Sequence, residues 1–172
     1  MRVVKTEIDG AFVIHPDMYR DERGFFCCTS DETAFGAVRY RECTARSETS
    51  VLRGLHIRSL PGEEKLVRCS SGSVYDVIAD LRKGSPTYRQ HQAFWLDGNE
   101  QMSLFIPAGC AHGYQALTDA DVTYRISGEY DADADMTIAW NDPELAIDWP
   151  LYPVLSERDR NAPSLAEVEK LL

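Results

Sequence analysis

The chain has 172 residues, of which 44% are hydrophobic and 27% charged, with a formal net charge of −10. That length suits one domain with a sizeable core, expected over residues 1–172. The acidic balance gives no general attraction for phosphate backbones or anionic membranes, so nucleic acid and membrane surfaces are excluded as partners, while local arginines can still hold an anionic small molecule.

Along the chain, short segments of β-type alternation are punctuated by turn residues. The predicted strands are Val3–Ile8, Phe12–His15, Gly24–Thr29, Val38–Ala45, Ser50–Arg58 and Lys65–Ser70. They continue as Ser73–Leu81, Tyr88–Leu96, Met102–Ile106, Gly113–Leu117, Val122–Ile126 and Thr137–Trp140. Turn signals separate them at Ser70-Ser71-Gly72, Lys83-Gly84-Ser85-Pro86, Asp97-Gly98-Asn99 and Pro107-Ala108-Gly109. Helix is scarce, with one short piece capped by Asp31 and running through Phe35, and another at Leu165–Leu172 behind Ser164. So many short strands in one domain predict an all-β jelly roll with short peripheral helices.

The cysteines Cys27, Cys28, Cys43, Cys69 and Cys110 form neither a CxxC motif nor a metal-finger spacing. In a strand the adjacent Cys27 and Cys28 point to opposite faces, poorly placed to bridge. Reduced thiols in a cytoplasmic protein are expected. The N-terminus lacks an apolar signal region, and no apolar run reaches the length of a membrane span.

Two histidine segments concentrate the chemistry. Val51-Leu52-Arg53-Gly54-Leu55-His56 reads as a strand, with Leu52, Gly54 and His56 expected on one face and Val51, Arg53, Leu55 and Ile57 on the other. Pro107-Ala108-Gly109-Cys110-Ala111-His112 resembles the second motif of the cupin superfamily, a tight turn that delivers a histidine into the mouth of a barrel. Cupins commonly bind a metal through His-x-His, a Glu and a later His. Here the first motif reads His56-Ile57-Arg58, and Lys65 stands near the usual acidic ligand. A cation there repels a divalent ion, and two histidines fall short of the usual three protein ligands, so no metal is expected.

A barrel with a His and a Lys suits proton abstraction beside a carbonyl. An imidazole is a good general base near neutral pH, a cation such as Lys65 can face the enolate, and inversion needs an acid such as Tyr124 on the opposite face. Taken singly, these residues have plainer readings. Asp159 in Glu157-Arg158-Asp159-Arg160 reads as one more charge on a solvated tail, Tyr124 as barrel packing, Arg23 as a turn residue and Lys65 as an exposed strand end.

Over nearly its whole length the chain resembles the dTDP-4-dehydrorhamnose 3,5-epimerase family. The resemblance is carried by Asp21-Glu22-Arg23-Gly24-Phe25-Phe26, Val51–His56, Lys65-Leu66-Val67-Arg68, the segment from Asp76 to Thr87, Ile106–Gly113, Trp140-Asn141-Asp142-Pro143, Ile147-Asp148-Trp149-Pro150 and Leu155–Asp159. It implies a cupin-type jelly-roll homodimer that needs no metal or organic cofactor and acts on a nucleotide-diphosphate-linked 4-keto-6-deoxyhexose. Carried over by position, His56 is the base, Asp159 its carboxylate partner, Lys65 the group facing the enolate oxygen and Tyr124 the acid. Arg23, Arg53 and His112 then contact the substrate, with Phe26 and Tyr130 around the nucleotide.

The chain also departs from the family pattern. Ile57 and Arg58 replace an aromatic and a glutamine, and Arg41-Glu42-Cys43-Thr44-Ala45 replaces a pattern close to Gln-Asp-Asn-His-Ser. Cys28 stands for a glutamate, and Glu129 for a tyrosine. Retained epimerase chemistry with an altered binding shell is the expectation. A metal-dependent cupin oxygenase or isomerase and a non-catalytic sugar-nucleotide-binding barrel stay open as alternatives.

Overall fold

A computed structural model of the protein describes residues 1–29, 40–129 and 131–172. Period-two alternation divides the strands between two sheets. In β7 (Lys65–Ser71), Val67 and Cys69 turn into the space between the sheets, whereas Leu66 turns outward against Ile14, Phe12 and Phe105.

The first sheet has the order β1 (Arg2–Lys5), β2 (Phe12–His15), β10 (Ser103–Ile106), β7, β12 (Ala120–Ser127) and β5 (Tyr40–Ser47). The second runs β13 (Asp135–Thr137), β6 (Val51–Arg58), β11 (Cys110–Ala116), β8 (Ser73–Asp80) and β9 (His91–Asp97), with β14 (Val154–Leu155) alongside β6. A separate two-stranded ribbon joins β3 (Tyr19–Asp21) to β4 (Gly24–Phe26). This is the expected jelly roll. Its core fills the gap between the sheets, with Val67, Val122 and Leu104 from one and Ile78, Val74 and Tyr114 from the other. A second cluster, Leu55, Ile57, Ala111, Ile138, Leu165 and Val168, seats the C-terminal segment on the outer face of the second sheet.

Several elements differ from expectation. Strand β3 was not anticipated, and β4 stops at Phe26. The predicted 38–45 strand is described from Tyr40 and extends to Ser47, and the predicted 137–140 strand is shifted to Asp135–Thr137. Two short elements near the end, β14 and the one-turn helix α1 (Glu157–Arg160), carry too few residues to show a period. The C-terminal helix α2 covers only Leu165–Val168, whose two ends are buried in the outer core, and so short a helix does not propagate unaided. The helix expected at 31–35 lies outside the described residues.

The main departure from simple alternation lies between β6 and β11. His56 pairs with His112 and Arg53 with Tyr114, so three steps along β6 match two along β11. This bulge rephases the strand, and Arg53 and His56, expected on opposite faces, line the same cavity. Gly54 adopts φ +138°, and a Cβ there would lie 2.5 Å from the Cα of Gly113. A Gly54→Ala variant should therefore lose about 1–3 kcal/mol of stability from backbone strain alone, read as a lowered midpoint in urea unfolding. An unchanged midpoint would show that the two backbones can separate freely.

Candidate active site

Between the sheets lies a cavity of about 310 Å³. His56 of β6 and His112 of β11 stand on one wall, and Lys65 of β7 and Tyr124 of β12 stand on the other. Arg53 and Cys43 also line it.

His56 is held from outside the strand. β14 runs parallel to β6, pairing Val154 with Val51, and carries the chain into α1. Ser156 caps that helix by accepting from the Asp159 N–H at 3.0 Å, a Ser-x-x-Asp pattern that fixes Asp159 on the first turn. Asp159 Oδ1 then meets His56 Nε2 at 2.7 Å across 103 residues of sequence, and Ser156 Oγ donates to Oδ2 at 2.7 Å. Asp159 is only 4% exposed, so it is not the solvated tail charge that its neighbours make it resemble. Burial pushes its carboxyl pKa up, but the hydrogen bonds from His56 and Ser156, with Arg158 nearby, prevail and hold it below the ordinary value. His56 remains partly open to the cavity, its side chain 36% exposed.

His112 is buried and bound to Asp76, with Nε2 2.9 and 3.0 Å from the two carboxylate oxygens. Its ring packs edge-on against Tyr124, centroids 6.1 Å apart. Burial drives the Tyr124 phenol well above its ordinary pKa, with Tyr114 and Asp76 adding to the rise and Arg53 opposing it. Tyr124 is accordingly a proton-bearing group at neutral pH. Arg53 donates through Nε to Ser47 Oγ at 3.0 Å, and that oxygen lies 2.8 Å from the Tyr114 hydroxyl. Lys65 is buried rather than an exposed strand end.

The other expected contacts fall elsewhere. Arg23 and Phe26 lie on the β3–β4 ribbon, lining a separate shallow cleft, with Arg23 paired to Asp21 at 2.6 Å and Phe26 72% exposed. One chain does not bring them to the cavity, because among the described residues the ribbon pairs only with itself. Tyr130 lies outside the described residues. Ile57 is 2% exposed, packing in the outer cluster and also lining the cavity, so its departure from the family pattern alters both. Sequence reasoning assigned no role to Asp76, Ser156 and Glu63. A charge inside the apolar run of β8 was the signal for Asp76, and the Ser-x-x-Asp cap was the signal for Ser156. Among the described residues no group of three or more His, Cys, Asp or Glu side chains is placed to hold a metal ion.

A cupin-like jelly roll whose cavity sets a carboxylate-bound imidazole opposite a phenol and an ammonium defines a class of proton-transfer enzymes. The family profile described as dTDP-4-dehydrorhamnose 3,5-epimerase matches residues 5–167. A dTDP-4-dehydrorhamnose 3,5-epimerase of Methanothermobacter thermautotrophicus is 41% identical over 96% of this chain and 95% of its own length. The structure of a 3,5-epimerase of Legionella pneumophila in complex with dTDP-4-keto-L-rhamnose superposes with a TM-score of 0.93 at 38% identity, covering 99% of this chain and 96% of that one. A 3'-monoepimerase from Streptomyces bikiniensis, in complex with dTDP-quinovose, gives 0.89 at 31% identity, covering 98% and 90%. The chain belongs to the dTDP-4-dehydrorhamnose 3,5-epimerase family and is an isomerase, an epimerase of deoxysugar biosynthesis.

Because the fold holds the Asp159 carboxyl below its ordinary pKa, the ionised form stabilises the native state above about pH 4, and that contribution disappears as pH falls through the lowered value. The gap in melting temperature between wild type and Asp159→Asn should therefore shrink from pH 7 to pH 3. A gap independent of pH would rule out the ionised pairing.

Proposed function

We propose that the protein inverts C3, C5 or both in a nucleotide-diphosphate-linked 4-keto-6-deoxyhexose, without a metal or organic cofactor. The observation that carries this reading is the placement of the His56–Asp159 pair and Tyr124 on opposite walls of one cavity, with Lys65 beside them. His56 removes the proton from the carbon next to the C4 ketone, and the electron pair passes to the ketone oxygen. Asp159 fixes the imidazole tautomer and stabilises the imidazolium. Lys65 faces the resulting enolate oxygen, a charge that exists only after proton loss and is therefore worth stabilising selectively. Tyr124 returns a proton to the same carbon from the other side, which inverts it. His112, held by Asp76, packs against Tyr124 and borders the sugar, while Arg53 at the mouth serves the diphosphate.

The protein works as a homodimer in this reading. Support comes from the exposed β1 edge strand, with Val3 53% exposed, and from the ribbon that presents Arg23 and Phe26 away from their own cavity. Five free cysteines fit a reducing cytoplasm. No helix among the described residues is long and apolar enough to cross a membrane. Cys43 on the cavity wall, where the family pattern carries a polar residue, supports an altered preference for sugar or nucleotide.

NMR of dTDP-, CDP-, UDP- and GDP-linked 4-keto-6-deoxyhexoses incubated with the protein in D₂O should show deuterium entering C3, C5 or both, identifying nucleotide and regiochemistry together. Protium retained at both carbons in every member of the panel would remove the proposal. His56→Asn and Tyr124→Phe should each lower turnover ~10²-fold or more, and unchanged rates would overturn the assigned roles.

A further inference from the structure

We infer that Glu63 is the positioning residue for Lys65, its buried carboxylate setting the ammonium opposite His56 while gathering Arg41 and Arg58 around it. The inference rests on the reading of Lys65 given above. Glu63 lies between β6 and β7, and its side chain is only 6% exposed. Oε1 lies 3.4 Å from Lys65 Nζ, and Oε2 accepts from Arg58 Nη1 at 3.0 Å and from Arg41 Nη2 at 3.1 Å. These cations come from three strands, Arg41 on β5, Arg58 on β6 and Lys65 on β7.

Three cations this close repel one another, and a buried carboxylate without partners is costly; each side makes the other tenable. The arrangement matters most for Lys65. Its ammonium is a point charge on a flexible stem, which packing alone does not aim, and stabilising a developing oxyanion requires the donor to be in place beforehand. At 3.4 Å the Glu63 contact is an ion pair rather than a short hydrogen bond, so it holds the ammonium without using up its three N–H donors. The cluster remains net positive, so the carboxylate fixes the cation without cancelling the charge that faces the substrate. Glu63 itself lines the cavity.

The experiment uses the full chain and the nucleotide-linked 4-keto-6-deoxyhexose that gains deuterium in the panel above, following kcat, KM and deuterium uptake in five variants. Glu63→Gln should lower kcat ~10-fold or more, as misplacing a catalytic group does, with KM changed less than about threefold, and Glu63→Asp should recover part of the loss. Because Glu63→Gln alone removes the carboxylate that faces Arg58 and Lys65, Arg58→Gln combined with Glu63→Gln restores the net charge. That double variant should melt close to wild type and still be slow. In a Lys65→Ala background, Glu63→Gln should cost nothing further, since its effect runs through the missing ammonium. A folded Arg58→Gln/Glu63→Gln variant with wild-type kcat, or losses that multiply in the Lys65→Ala background, would overturn the inference while leaving Lys65 in its role. A fully active Lys65→Ala variant would instead overturn the role of Lys65, and the inference with it.

Discussion

The close approach of two backbones, Gly54 of β6 and Gly113 of β11, is the constraint on which the site depends. Neither position has room for a side chain, since a Cβ on Gly113 would sit 2.9 Å from the Arg53 carbonyl oxygen. With the strands pressed together, one extra residue is absorbed on β6, and the inward-facing set changes from Arg53 before the bulge to His56 after it. Arg53 and His56 then share a cavity wall that simple alternation would have divided between them. The same change of phase sends Leu55 and Ile57 outward, where they provide the seat for Ile138, Leu165 and Val168. Packing of the C-terminal segment and placement of His56 are thus consequences of one irregularity in a sheet.

The two carboxylate–imidazole pairs differ in burial, and the difference bears on what each can do. His112 and Asp76 sit side by side on adjacent strands, both almost wholly buried, and the pair is locked into the wall behind Tyr124. His56 has one nitrogen bound to Asp159 and a third of its side chain open to the cavity. Of these two imidazoles, His56 is the one that combines a fixed orientation with access to the cavity. Asp159 itself is delivered by a helix too short to stand alone. Its anchoring comes from the parallel contact of β14 with β6 and from the Ser156 cap.

The chain is acidic, yet its cavity is bordered by Arg41, Arg53, Lys65 and Arg158. Net charge governs encounter and solubility, whereas a pocket is governed by the groups that line it at short range. Most of the acidic residues lie on the surface. Glu63 does not, and its position among three cations makes it part of the cavity's local electrostatics.

The β architecture was legible because period-two patterning and turn residues are local signals, and every strand of five residues or more in the described regions had been anticipated, with ends shifted by a few positions. His56, Lys65 and Tyr124 lay in predicted strands and His112 in the turn motif just before Gly113, while their grouping as one site was implied by the family resemblance. What the sequence determined by itself is therefore the jelly roll and the inventory of acid–base groups, since both are encoded over a few neighbouring residues. Tertiary structure decided the rest: that Arg53 joins His56, that a Ser156-capped helix closes the His56–Asp159 pair the resemblance implied, that Asp76 holds His112, and that Arg23 and Phe26 stand apart. Such relations depend on registers, bulges and long-range pairings set by packing, which no local periodicity records.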